Sequence, residues 1–218
     1  MKHLTFSVTL LSIALSANVL ADDSAPNTIN GCTLEPYAEC NGVNLSGANL
    51  DNLDLTGINL KGANLSGASL KHTILKNADL YKANLEGADL ARADIRHANM
   101  RVANLRHANL EAVNAWALFG QVADFSHANM QGANLSFARV SKAKFHNTNM
   151  RSITLEMAWA TKIDLEGASL VNANLQEAKM SDSSFKNADF TGTRKHYANF
   201  MDAYMEGCTA CPVDWQKH

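Results

Sequence analysis

The sequence predicts a solenoid, a chain wound repeatedly about one axis, and three observations lead there. A large apolar residue recurs at every fifth position. The residue two places before it is small, most often alanine, and the residue between them is most often Asn or Asp. The clearest stretch runs from Ala78 to Leu110: ADL-YK-ANL-EG-ADL-AR-ADI-RH-ANM-RV-ANL-RH-ANL. Such internal repetition has to be read before helices or strands are assigned, because it decides the fold.

The period excludes both regular elements. Five residues of α-helix turn through about 500°, so the large residues would drift around every side. Five is also odd, so in a strand they would alternate between the two surfaces. The chain must instead turn once per repeat, which points each large side chain at a common axis. A bore that narrow also requires the second inward side chain to be small, which accounts for the alanines.

The register is continuous. From Leu45 to Met205 there are 33 multiples of five, and 29 hold Leu, Ile, Val, Met or Phe; Ala115, Gly120, Ala160 and Lys195 are the exceptions. Two positions earlier 22 are Ala, and one position earlier 21 are Asn or Asp. No insertion shifts the phase, so one unbroken tube is implied. The Asn and Asp side chains are suited to hydrogen-bonding nearby backbone and supporting a turn in each repeat.

The segment ADLYKANLEGADL, Ala78 to Leu90, follows the motif A(D/N)LXX, and the chain from about Val43 to Met205 resembles the pentapeptide-repeat family. The resemblance implies an all-β fold, a right-handed quadrilateral β-helix with four repeats to a coil. About eight coils follow, roughly 40 Å of rod at the ~4.8 Å spacing of paired strands.

In chain order, Met1–Ala21 reads as a secretory signal peptide: Lys2 supplies the charge, Leu4–Leu15 is mostly apolar, and Val19-Leu20-Ala21 suits cleavage. The apolar run is shorter than the ~20 residues that span a bilayer. Residues 22–42 read as a polar lead-in followed by an N-terminal cap, Asn30–Gly42, outside the five-residue phase. Such a cap is needed because a first coil exposes apolar cross-section and an unpaired edge. Residues 43–206 form the β-helix, and 207–218 a C-terminal cap or tail in which Trp215 covers the last coil or meets another copy. The expected location is periplasmic or secreted from a bacterial cell, with no membrane span after cleavage.

Four cysteines in an exported chain suggest disulfides, with three possible connectivities. The ends of such a rod are too far apart for a bond that needs Cα atoms within about 7 Å. The expectation is Cys32–Cys40 in the N-terminal cap and Cys208–Cys211 after the last coil. A redox role for Cys208-Thr-Ala-Cys211 lacks a thioredoxin-like context. A zinc site there lacks a second ligand pair.

Lys and Arg number 19, one of them Lys2 in the leader, against 21 Asp and Glu, which is too near neutral to point to nucleic acid. His107 and His127 should stack on successive coils near Arg92, Arg96, Arg101 and Arg106, with Glu86 beside Arg106. Solvated surface is the favoured reading of that strip over a pH-responsive one. No nucleophile–base pair, phosphate-binding loop or carboxylate cleft is legible, so no enzyme, cofactor or metal is expected.

Folding the sequence at one coil per twenty residues places Trp116, Phe119, Phe137, Met157 and Trp159 on one face, where other repeats carry polar residues. Arg96 lies one coil below Trp116, within cation–π reach, and Arg139 and Lys179 share the face. Two readings stand open. The group is an exposed binding patch, or Phe119 and Trp159 swing inward to fill the gaps left by Gly120 and Ala160.

The function expected is a non-enzymatic scaffold that binds an unidentified protein partner, or itself, through one face. The alternatives are a carbohydrate- or surface-binding module using the aromatic face, an enzyme, or a DNA mimic of the kind by which some pentapeptide-repeat proteins protect gyrase. An export leader and weak net charge argue against the last.

Overall fold

The structure, a computed structural model, describes residues 27–212. The leader Met1–Ala21, most of the lead-in and Trp215 lie outside the described residues. The chain opens with a short antiparallel hairpin, β1 (Thr28–Ile29) and β2 (Cys32–Thr33). It then winds into a right-handed quadrilateral β-helix of twenty residues per coil. Each side is too short for a continuous strand. One residue per side bridges in parallel to its equivalents twenty residues away, as in Asn44–Asn64–Asn84–Asn104–Asp124.

The backbone hydrogen bonds explain the five-residue unit. The large inward residue and the second corner residue donate to the next coil: Leu45 N to Asn64 O, 2.7 Å, and Gly47 N to Ser66 O, 2.9 Å. The bridging residue donates to the preceding coil, as Asn64 N does to Val43 O at 2.9 Å. The small inward residue closes the turn, Ala48 N to Leu45 O at 3.1 Å. One N–H remains, that of the first corner residue, and a buried or crowded donor cannot be left idle. The Asn or Asp side chain two positions earlier accepts it, as in Ser46 N to Asn44 Oδ1, 3.2 Å, and Glu86 N to Asn84 Oδ1, 3.2 Å. The amides also link coils: Asn64, Asn84 and Asn104 each donate through Nδ2 to Oδ1 of the residue twenty before.

The second corner residue has positive φ in every turn from Tyr37 to Gly207, the requirement of a type II turn at its third position. Glycine meets it without strain at Gly47 and Gly87. Val102 (φ 62°) and Val122 (φ 64°) meet it with β-branched side chains, which disfavour that region.

The core is one continuous column. Large residues at multiples of five are buried from Leu45 to Met180, and the alanines two before them from Ala63 to Ala178. Hydroxyls that take an alanine place are satisfied: Thr73 and Thr148 each donate at 2.8 Å to a carbonyl 23 residues back. Phe125 and Phe145 stack in the bore with centroids 4.9 Å apart, and Phe185, Phe190 and Phe200 pack edge to face near the C-terminal end.

The expectation that Asn30–Gly42 lies outside the phase needs correction. Cys40 already occupies the inward position and Glu39 bridges to Asn59, so the ladder starts a few residues before 43; at the other end Asp189 pairs with Thr209, past 206. Both disulfides form as expected, Cys32–Cys40 and Cys208–Cys211. At the C-terminal end Lys195, in a leucine position, turns its ammonium toward the carbonyls of Ala210 and Cys211, 3.5 and 3.4 Å away. The N–H groups of Lys195, Tyr197, Phe200, Asp202, Met205 and Gly207 have no backbone partner among the described residues.

Candidate functional site

One side of the rod breaks the polar rule of the bridging position. Reading along the axis, Asn59, Asp79 and Asn99 give way to Phe119, Arg139, Trp159 and Lys179 before Asn199 restores the pattern. Side chains here point outward because their neighbours on both sides in the chain point inward. Trp159 is 53% exposed, and Arg139 and Lys179 are exposed. Cation and ring alternate: the Arg139 guanidinium lies 5.5 Å from the Phe119 centroid, and Lys179 Nζ lies 4.0 Å from that of Trp159. On the adjoining corner Trp116 (37% exposed) and Phe137 (46%) meet with centroids 5.6 Å apart, and Met157 is half-buried above them.

The swing-in reading is overturned. Phe119 stays half-buried on the face and Trp159 stands in solvent. The space at Gly120 is taken from inside: a Cβ built there would lie 3.3 Å from Val140 Cγ1, 3.5 Å from Leu118 Cδ2 and 3.7 Å from Phe125 Cε2. Leu118, in an alanine place, has exchanged sizes with Gly120.

The contact expected of Arg96 is also corrected. Its guanidinium binds Asp94 two residues back, with Nη2 to Oδ2 at 2.6 Å and Nε to Oδ1 at 2.8 Å. Burial pushes the Asp94 carboxyl up, but the hydrogen bonds from Arg96 outweigh this and hold it below its ordinary value. The ring edge that meets Trp116 belongs to His97, at 4.9 Å and 81°. Arg96, His97 and Trp116 still line one shallow depression.

His107 and His127 stack as expected, 5.0 Å apart and nearly parallel. The partner of Arg106 is Asp124, at 3.4 Å, while Glu86 accepts from Asn104. The signal that finds such pairs is a spacing of 18: a first-corner side chain leans back over its own face toward the bridging residue of the next coil. Lys61–Asp79 and Lys71–Asp89 follow the same rule.

Giving up Asn or Asp on this face has a measurable consequence. The N–H groups of Gln121, Ser141, Thr161 and Ser181 lack the side-chain acceptor that Lys61, Tyr81, Arg101 and Met201 have on the same side. An intramolecular hydrogen bond contributes about 0.5–1.5 kcal/mol net. The substituted side chains therefore do not serve the turn. Among the described residues no group of three His, Cys, Asp or Glu could hold a metal ion, and no helix is long and apolar enough to cross a membrane.

A rod with a filled bore and four laddered faces is a repeat scaffold. The chain belongs to the pentapeptide repeat family: the family described as "Pentapeptide repeats" matches in eight copies, over residues 38–77, 73–111, 123–156, 161–194 and 168–207. Among solved structures it is similar to HetL, a pentapeptide repeat protein involved in heterocyst differentiation regulation from the cyanobacterium Nostoc sp. strain PCC 7120. Identity is 27% and the TM-score 0.50, over 78% of this chain and 86% of that one. It is also similar to full-length QnrB1, a plasmid-mediated fluoroquinolone resistance protein, at 17% identity and TM-score 0.36, over 76% and 90%. A pentapeptide repeat protein from the Arabidopsis thaliana thylakoid lumen matches at 23% and TM-score 0.19, over 63% and 64%. No curated protein matched the chain.

Proposed function

We propose that this protein is an exported, non-enzymatic scaffold that docks a protein partner through the face of Phe119, Arg139, Trp159 and Lys179 and the corner of Trp116, Phe137 and Met157. The observation that carries this reading is that Trp116, Phe137 and Trp159 are exposed together on a rod whose core is complete without them. Fully covering one such side chain is worth about 1.5–3 kcal/mol, and clustered aromatics with cations dominate many interfaces. Export to the periplasm or beyond is supported by the leader-like Met1–Ala21 and by two disulfides, which persist in oxidising compartments.

The test is capture from periplasmic extract with the wild type, with Trp116→Ala plus Phe137→Ala, and with Lys71→Ala plus Lys186→Ala as a control on other sides of the rod. A partner retained by the control and lost by the aromatic pair is the expected result. If the aromatic pair keeps every partner, the face is not the docking surface. The N-terminus of periplasmic material should begin at Asp22; recovery of uncleaved protein only in the cytoplasm would refute export.

A further inference from the structure

We propose that this face receives an extended acidic peptide lying along the rod axis in the polyproline II conformation, with a carboxylate at every third residue. The inference rests on the docking role proposed above and specifies the chemistry of the partner.

Charge sets the sign of the ligand. Arg139 and Lys179 on the face, and Lys142 and Lys162 on the corner after it, are all exposed. None of the four forms an ion pair with a carboxylate among the described residues, so their charge is available to a partner. Glu156 and Glu177 lie on the corner of Trp116, Phe137 and Met157, across the face from Lys142 and Lys162, and Glu156 is engaged by Asn174 Nδ2 at 3.3 Å. The cationic edge runs past 139, 142, 162 and 179 and is bounded by the exposed Asp182, one coil beyond Lys162 on the same corner; an anionic partner is steered to the stretch before it.

Spacing sets its conformation. Arg139 and Lys179 occupy the same place two coils apart, as do Phe119 and Trp159. Two coils span about 9.6 Å at the spacing of paired strands. A polyproline II chain rises about 3.1 Å per residue with three residues per turn, so like positions recur every ~9.3 Å. In a β-strand, same-side residues recur at about 6.6–6.8 Å, which misses the cations. Aromatic surfaces are also the usual receivers of polyproline II segments.

The ring faces argue against a sugar. Stacking on a pyranose needs an open aromatic face, and here Arg139 lies over Phe119 and Lys179 over Trp159. A carboxylate placed beside each cation leaves those contacts intact, while proline rings fit against the ring edges.

The test uses the purified protein and synthetic peptides followed by tryptophan fluorescence or calorimetry. The probe is a twelve-residue peptide of repeated Glu-Pro-Pro, compared with Gln-Pro-Pro, with an eight-residue Glu-Thr repeat that carries the same four carboxylates, and with a sulfated polysaccharide. We expect Glu-Pro-Pro to bind at least about tenfold more tightly than Gln-Pro-Pro, and the affinity to fall as salt rises. Arg139→Gln plus Lys179→Gln should remove that preference, with a native circular dichroism spectrum and unchanged unfolding midpoint as the folding control. Equal binding of the neutral peptide, equal or tighter binding of the Glu-Thr repeat, retained affinity in the glutamine variant, or preference for the polysaccharide would each overturn the proposal. If the acidic peptide fails while Trp116→Ala plus Phe137→Ala still loses a captured partner, the docking role stands and only the partner chemistry falls. If both fail, the docking role falls with it.

Discussion

The size exchange between Leu118 and Gly120 can be measured as a coupling energy. Leu118→Ala opens a void beside Gly120 in a wall that is fully buried, and such truncations cost about 2–5 kcal/mol. Gly120→Leu drives a side chain against Val140, Leu118 and Phe125, whose nearest atoms lie 3.3–3.7 Å from the new Cβ. Overpacking of this kind costs about 1–3 kcal/mol. Independent effects would sum to about 3–8 kcal/mol in the double variant. The double variant, however, restores an alanine two places before a large apolar residue, the arrangement of most repeats of this chain. It should lose no more than about 1.5 kcal/mol, a coupling of at least about 1.5 kcal/mol. Equilibrium urea unfolding of the four proteins gives the cycle. Because stacked repeats respond mainly to their neighbours, hydrogen exchange of amides near 115–145 supplies a local readout. Single-variant losses that simply add would show that Leu118 does not fill the place of the missing residue.

Two further expectations concern the corners and the carboxylates. Val122→Asn should relieve a β-branched residue at φ 64° that is 51% exposed, gaining about 1 kcal/mol and raising Tm by roughly 2–4 °C; a lowered Tm in a thermal melt would refute the strain. In acid, a Ser69 hydrogen bond holds the Asp51 carboxyl below its ordinary 3.8, a Thr191 hydrogen bond does the same for Asp189, and in Asp94 the Arg96 bonds overcome burial. The unfolded chain therefore takes up these protons first, so their stabilisation is complete above the ordinary carboxyl range and is lost as pH falls below it. The urea midpoint should hold to about pH 5 and drop between about pH 4 and pH 2, and Asp94→Asn should shrink the drop; a midpoint indifferent to acid would contradict the assignment.

Much of this architecture can be read from the residues because one geometric demand recurs. A leucine at every fifth place, an alanine before it and an amide between them each answer a different requirement: filling the bore, fitting it, and accepting the corner N–H. What the sequence hides is where one residue substitutes for another. Cys40 conceals the start of the ladder because a cysteine does not look like a leucine. Leu118 and Gly120 look like two separate lapses until their atoms are seen to share one space. The partner of Arg106 escapes a twenty-residue alignment because its side chain leans back by two positions to reach Asp124. The aromatic strip is visible in sequence, but its exposure is not, since Phe119 and Trp159 sit beside inward gaps that either could have filled.

Lys195 has a consequence for how the rod ends. A coil whose N–H groups find no backbone partner among the described residues is a template onto which another chain could build, and stacked copies would grow into a filament. An ammonium at the mouth of a greasy channel discourages that growth. A second copy seated there would strand the charge away from water, a penalty of several kcal/mol per ion unless matched. One lysine thus sets a charge against the stacking of copies that so extendable a design otherwise invites.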